Sequence, residues 1–152
     1  MIPEGKDAGD VCGGEEPTPP RHITLRALME EDTFEINTTR CGPHGDCALD
    51  FALGRKDDPI DEDAVKLVLD APGLNILFTT PEGRTVLWVQ CGRGRSRNVE
   101  LLLADGRIDP NQCSTDIGAS PLFVAAALGK ELCVKLLLAD PRVDPNLACL
   151  QG

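Results

Sequence analysis

The residues best suited to metal or thiol chemistry lie in one short stretch, where Cys41, His44 and Cys47 follow one another at intervals of three. Zinc binds thiolate and imidazole ligands of this kind and would take a fourth ligand from elsewhere in the chain. The spacing C-x2-H-x2-C is not that of an established zinc motif, and an ordinary loop explains the stretch more simply. We therefore expect no metal or other cofactor, and keep a zinc-binding or thiol-reactive protein as an alternative function.

Catalytic and calcium-binding patterns are weaker still. The two histidines, His22 and His44, and seven cysteines allow a Cys–His pair for nucleophilic catalysis by number alone. The acidic run 57–63 lacks the glycine and closing glutamate of a calcium-binding loop. Its acids instead favour the positive end of a helix over 64–69. We do not expect an enzyme.

The run GRGRSR at 92–97 places three arginines close together in an acidic chain. It is not the G-x-G-x-x-G loop that holds a dinucleotide after a strand. The simpler interpretation is a solvated loop in which Ser96 caps the following helix. The functional interpretation is a contact patch for a partner.

Composition excludes several classes of protein. A net charge of −10 opposes binding to nucleic acid or an anionic membrane, and 3% aromatic residues leave little to stack on bases. No segment approaches the roughly 20 apolar residues of a membrane span, and no signal peptide begins the sequence. We therefore expect a location inside the cell, the cytoplasm first with the nucleus left open, where the cysteines are free thiols.

An internal repeat is the strongest signal in the chain. Residues 83–115 align without gaps on 118–150, at a period of 35, with fourteen identical positions. An earlier copy, 45–82, carries four extra residues within 55–60, and 25–37 aligns with 134–146 as a half copy.

Each copy has the pattern helix, short loop, helix, long turn. In the last copy, Ser120 and Pro121 form a helix start, and apolar residues then recur at helical spacing up to Gly129. A second apolar helix follows from Glu131 and ends before Pro141. Such a unit buries its apolar faces only against neighbouring units, which predicts an all-α solenoid of helix-turn-helix repeats joined by long turns.

The copies resemble ankyrin repeats. The resemblance rests on GRTVL at 83–87 and GASPL at 118–122, which stand where that family has G-x-T-P-L, on a glycine after the first helix, on V-x-L-L-L in the second, and on a closing Asp-Pro-Asn. The family's histidine is replaced by Asp50, Trp88 and Phe123, so we expect its hydrogen bonds between repeats to be absent.

The resulting domain scheme has five parts. We expect a disordered acidic leader at 1–20, an N-terminal half repeat at 21–44, and ankyrin repeats at 45–82, 83–117 and 118–152.

The resemblance implies a non-enzymatic scaffold that binds a protein or peptide through its turn tips and the inner-helix face of a concave groove. Ten positions are expected to contact the partner: Asp46, Arg55, Glu82, Arg84, Arg93, Arg95, Asp116, Ile117, Ala119 and Leu128. Because Arg55, Arg84 and Arg93 would line the groove of an acidic body, we expect an acidic or phosphorylated partner segment rather than a long polyanion.

The last repeat lacks the polar face that usually closes a solenoid. Its second helix keeps Leu132, Leu136 and Leu138, and Gly152 stands where the glycine of a further copy would fall. We expect self-association through this end. The alternative is a structural role as one segment of a longer repeat array.

Overall fold

The computed structural model describes residues 19–32, 34–37, 40–41, 46–55 and 58–147, with backbone alone at 40, 41 and 46. Within these residues the chain forms seven helices and one two-residue antiparallel ladder. The helices are α1 (Arg21–Met29), α2 (Ala48–Leu53), α3 (Glu62–Leu69), α4 (Val86–Arg93), α5 (Ser96–Asp105), α6 (Pro121–Ala127) and α7 (Glu131–Ala139). In the ladder, β1 (Arg40–Cys41) pairs with β2 (Asp46–Cys47). Nearly all of the expected leader lies outside the described residues.

Three helix starts are fixed by capping side chains that the sequence places there. Asp61 accepts from the Ala64 amide at 3.0 Å, Thr85 from Trp88 at 3.1 Å, and Ser120 from Phe123 at 3.1 Å. The acids of the 57–63 run thus open α3, which begins two residues before the predicted helix. The expectation for Ser96 is wrong, since Ser96 is the first residue of α5 and Arg95 is the cap, without a side-chain bond.

A glycine is required where α4 turns into α5. Gly94 has φ 74°, the left-handed conformation that ends many helices, and its amide closes α4 on the Cys91 carbonyl. A Cβ at this position would also lie 2.9 Å from Cδ of Lys130 in the next repeat. Any side chain here would be strained by its backbone and would require the Lys130 side chain to move.

The helices form two rows, as an ankyrin-type stack requires. The inner row is α2, α4 and α6, and the outer row is α1, α3, α5 and α7. Each outer helix packs on the next, and α4 packs closely along α6. The fully buried side chains are mostly aliphatic, including Leu25, Leu53, Leu87, Leu102 and Leu137, so the core runs through all the repeats. The all-α repeat solenoid predicted from the sequence is confirmed.

The prediction that bonds between repeats are lost with the family's histidine is wrong at Trp88. Its indole N–H donates to the carbonyl of Ala119, in the next repeat, at 2.9 Å, and both residues are buried. A buried indole needs a partner for its single donor, and the next repeat supplies one.

The closing Asp-Pro-Asn segment forms further bonds between repeats. Asn111 donates to the Arg142 carbonyl at 2.7 Å and accepts from the Asp144 amide at 2.8 Å. Arg142 in turn reaches back to the Leu103 carbonyl at 2.7 Å, and Arg107 makes the same bond to Leu69 one repeat earlier. Arg107 and Arg142, which are identical at the same position of two copies, therefore each join their repeat to the preceding one.

The cysteines do not all have the predicted state. Cys47, Cys91 and Cys133 are free thiols, and the last two are buried. Cys113 is instead disulfide-bonded, so the expectation of free thiols throughout is wrong at that residue. In the described part of the chain, none of the helices has both the length and the apolarity needed to cross a bilayer.

Candidate functional site

A cleft of about 650 Å³ opens between the inner helices α2 and α4. The turn at 74–80 forms one wall, and the ends of the two helices, at Gly54 and Arg93, form the far limit. We call this the inter-repeat cleft. Its volume lies in the range of about 300–1,000 Å³ that is usual for ligand sites.

The cleft exists because two neighbouring inner helices do not pack closely. Whereas α4 lies along α6, α2 makes only weak contact with α4. Ala125 of α6 is fully buried, and the equivalent position of α4 is the larger, polar Gln90. Gln90 lines the cleft and is hydrogen-bonded by the Asn98 amide, which also donates to the Leu53 carbonyl. A polar network thus takes the place of close helix contact.

Much of the cleft wall is apolar. Leu49 from α2 faces Val86 and Val89 from α4, and Ile76 closes the turn side. Phe78, on the same turn, also lines the cleft while 61% of its surface is exposed. Large apolar side chains that remain exposed beside a concavity are typical of interaction sites.

Three of the predicted arginines, Arg55, Arg84 and Arg93, line the inter-repeat cleft together. Asp50 is an acidic residue of the same lining, and its carboxylate accepts from the Cys47 thiol at 3.2 Å. The balance of charge on the cleft wall is therefore positive, although the chain as a whole carries −10.

Arg84 is held in place by internal contacts. It forms an ion pair with Asp116 and lies over the Trp88 ring, 4.7 Å from the centroid. Two groups lower the pKa of Asp116. The larger effect is a hydrogen bond from the Ser114 hydroxyl, and the second is the hydrogen bond from the Arg84 guanidinium. The charge of Arg84 is thus largely balanced within the protein.

Arg93 has a different environment. Its Nη1 lies 3.5 Å from the Gly54 carbonyl, and among the described residues no carboxylate pairs with it. The side chain is exposed at the end of α4, where it lines the cleft. Arg93 is therefore well placed to receive an anionic group from outside.

Arg95 does not belong to the binding surface as predicted, because it is 7% exposed. It donates to the carbonyls of Leu53, Arg55 and Asp58 at 3.0, 2.8 and 2.7 Å. Arg21, from the half repeat, binds the same segment at the Asp58 carboxylate and the Pro59 carbonyl. Both arginines therefore bind described residues of the inserted loop of the first repeat.

The other predicted contact residues lie away from the cleft. Glu82, Asp116 and Ile117 sit on turn tips, where the Glu82 carbonyl accepts from the Thr115 amide at 2.8 Å. Leu128 is 55% exposed, on the last repeat. Ala119 is 2% exposed and accepts from Trp88, so it is closed to a partner, against the prediction. The side chain of Asp46 lies outside the described residues.

At the predicted metal stretch, Cys47 is the cysteine whose side chain the structure describes. Burial raises the pKa of the Cys47 thiol, so it is the neutral thiol at ordinary pH. His44 and the side chain of Cys41 lie outside the described residues, so the zinc alternative stays a prediction.

Another group with metal-type ligands went unnoticed in the sequence. His22, Asp61 and Asp63 lie together, with Nδ1 of His22 3.0 Å from the Asp61 carboxylate. Asp61 is already engaged, since it accepts backbone bonds from Ala64 and His22. Burial acts to raise the pKa of Asp61, but these bonds outweigh it and lower that pKa. The group joins α1 to α3 as a capping arrangement.

The last repeat exposes positions that the preceding repeat buries. Trp88 is 8% exposed, and the residue one period later, Phe123, is 60% exposed. Leu138, one period after the partly buried Leu103, is 55% exposed. These two side chains mark an apolar face at the end of the described stack, which we call the end face.

Comparison with known families agrees with this architecture. The family model described as ankyrin repeats (3 copies) matches residues 58–149, which is more than half of the chain. No curated protein and no solved structure matches the chain significantly. Ankyrin repeats generally act as protein–protein interaction modules and are typically non-enzymatic. The chain belongs to the ankyrin repeat family.

Proposed function

We propose that the chain is a non-enzymatic binding module inside the cell that holds an acidic or phosphorylated segment of a protein partner in the inter-repeat cleft. The observation that carries this proposal is the convergence of Arg55, Arg84 and Arg93 on one cleft. The turn tips that bear Glu82, Asp116 and Ile117 would add contacts outside the cleft. Family membership supports the general role, and the arginines support the chemistry of the partner.

Electrostatics favour a short acidic segment over a long polyanion. The planar guanidinium group binds carboxylate and phosphate oxygens through two parallel hydrogen bonds. A polyanion such as DNA would extend past the cleft and meet the net negative charge of the body.

The test is a pull-down with the full chain, followed by affinity measurement on each partner with Arg84→Ala and Arg93→Ala combined. We expect a loss of at least about tenfold in affinity, with a salt dependence that weakens in the variant. Arg97→Ala is the matched control, because Arg97 is an exposed arginine paired with Glu62 outside the cleft. Circular dichroism checks that the variants fold. A folded double variant with unchanged affinity, or a partner whose bound segment is basic, would refute the proposal.

The end face supports a second proposal, self-association of the chain. Phe123 and Leu138 occupy positions that are shielded in the preceding repeat, so burial against a second copy would remove apolar surface from water. Sedimentation of the full chain should give a concentration-dependent dimer that Phe123→Ser with Leu138→Ser abolishes. A monomer at all concentrations would instead favour the alternative of one segment in a longer repeat array.

A further inference from the structure

We infer that the inter-repeat cleft recognises a bulky apolar side chain together with the acidic group, two to four residues apart in an extended partner segment. This inference rests on the proposed function and adds to it the sequence pattern that the partner must carry. The apolar side chain would enter between α2 and α4, and the acidic group would bind Arg93.

The apolar half of this pattern follows from the wall of the cleft. Leu49, Val86 and Val89 face one another across a space that the neighbouring pair of inner helices closes by direct packing. Phe78 lines the same cleft and is 61% exposed. An inserted leucine, isoleucine or phenylalanine side chain would replace the missing helix contact and shield Phe78 from water.

The acidic half follows from the difference between two arginines of the cleft. Arg84 already has Asp116 as its counter-ion and lies over Trp88, so a ligand would have to compete for it. Arg93 has only a 3.5 Å contact with the Gly54 carbonyl among the described residues. An incoming carboxylate or phosphate therefore gains more from Arg93 than from Arg84.

The spacing follows from helix geometry. Val86 and Arg93 are the first and last residues of α4. Seven residues of α-helix rise about 10 Å, which is the distance from Val86 to Arg93 along the axis. The centre of the apolar wall, between Val86 and Val89, is somewhat nearer to Arg93. An extended segment advances about 3.3 Å per residue. The apolar wall and Arg93 are thus about 8 Å apart along the helix, which is about two to three residues of extended chain, and the length of the arginine side chain extends this range to about four.

A displayed library of random twelve-residue peptides, selected on the purified full chain, tests the inference whatever the identity of the partner. We expect enrichment of peptides in which Asp or Glu stands two to four residues from Leu, Ile, Phe or Met. Phe78→Ser should weaken the best peptide about tenfold or more while the preference for acid persists. Arg93→Gln should remove the preference for acid while the apolar preference persists.

The adjacent residue provides a matched control. Leu77 is 64% exposed, about as much as Phe78, but it does not line the cleft, so Leu77→Ser should leave the affinity unchanged. If Leu77→Ser weakens binding as much as Phe78→Ser, the inference is wrong. Enrichment of acidic peptides without an apolar partner residue would also overturn it and leave the proposed function standing. Enrichment of basic peptides, or of none, would overturn both.

Discussion

Arg95 tests the distinction between arginines that build the fold and arginines that bind. Substitution by methionine keeps the aliphatic stem and removes the guanidinium group that serves the carbonyls of Leu53, Arg55 and Asp58. The inserted loop of the first repeat would lose its attachment to α5. We expect the folded state to be destabilised without a direct loss of charge from the cleft.

The magnitude follows from the environment of each acceptor. Hydrogen bonds to charged groups contribute about 1.5–3 kcal/mol each, which sets an upper limit for three bonds. Two of these losses are smaller, because the Arg55 carbonyl keeps a bond from the Asp58 amide at 3.1 Å and the Leu53 carbonyl keeps a bond from Asn98 at 2.9 Å. Removing a buried cation also relieves a desolvation penalty. We therefore expect Arg95→Met to lower the free energy of unfolding by about 2–3 kcal/mol, a large part of the stability of a small domain.

Urea unfolding followed by far-UV circular dichroism measures this change. The midpoint for Arg95→Met should move to lower urea, with the half repeat and first repeat unfolding ahead of the others. Arg97→Met is the control, because Arg97 pairs with Glu62 and Glu100 at an exposed surface and its loss should leave the midpoint in place. If the two variants and the unchanged protein share one midpoint, the structural role assigned to Arg95 is wrong.

Three further outcomes follow from buried and capping groups. Trp88→Phe should lower the free energy of unfolding by about 1 kcal/mol, because the indole bond to the buried Ala119 carbonyl is lost while the Ser114 amide, at 3.0 Å, still donates to that carbonyl; equal stability in urea would contradict this. Burial raises the pKa of Cys91 and Cys133, so both thiols should react with a disulfide reagent at pH 8 only after unfolding, and rapid reaction of the native protein would be the contrary result. Despite partial burial, the bonds that Asp61 accepts lower its pKa, so its stabilisation is present above about pH 4 and is lost as pH falls through the lowered value. Asp61→Asn should therefore flatten the acid limb of a stability–pH curve, whereas a parallel curve would show that Asp61 contributes nothing there.

Most of the fold could be predicted from the repeat pattern. Helix starts at Thr85 and Ser120 and the helix end at Gly94 follow from local rules, because a capping hydroxyl or a left-handed glycine acts within one turn of its own helix. The groove positions of Arg55, Arg84 and Arg93 followed from repeat register, which transfers the geometry of one copy to the next.

The sequence did not show that the three arginines of one run lie in different environments. Arg93 lies at the cleft, Arg95 is buried and Arg97 is on the surface, although all three stand within six residues. Arg95 differs because it binds the carbonyls of Arg55 and Asp58, in the inserted loop of another repeat. A signal was present in the register, because Arg21 of the half repeat and Lys130 of the last repeat occupy the equivalent position.

The cleft depends on a replacement of one residue whose effect could not be predicted from the sequence. Gln90 replaces the alanine found at Ala125, and only the three-dimensional stack shows that this position faces the preceding inner helix. The bond from Trp88 to the next repeat could not be predicted either. The absence of the family's histidine indicates that one hydrogen-bond donor is lost, but it does not show that the indole supplies another.

The position of Trp88 gives the molecule an optical reporter of its own state. It is the single tryptophan of the chain, so intrinsic indole emission comes from one known place. Its N–H ends on the following repeat, and the guanidinium above its ring belongs to an arginine of the cleft wall. Undocking of the last repeat would hydrate the ring and shift its emission to longer wavelength, whereas a ligand that drew Arg84 aside would change the emission intensity. One fluorophore can therefore distinguish fraying of the stack from occupation of the cleft.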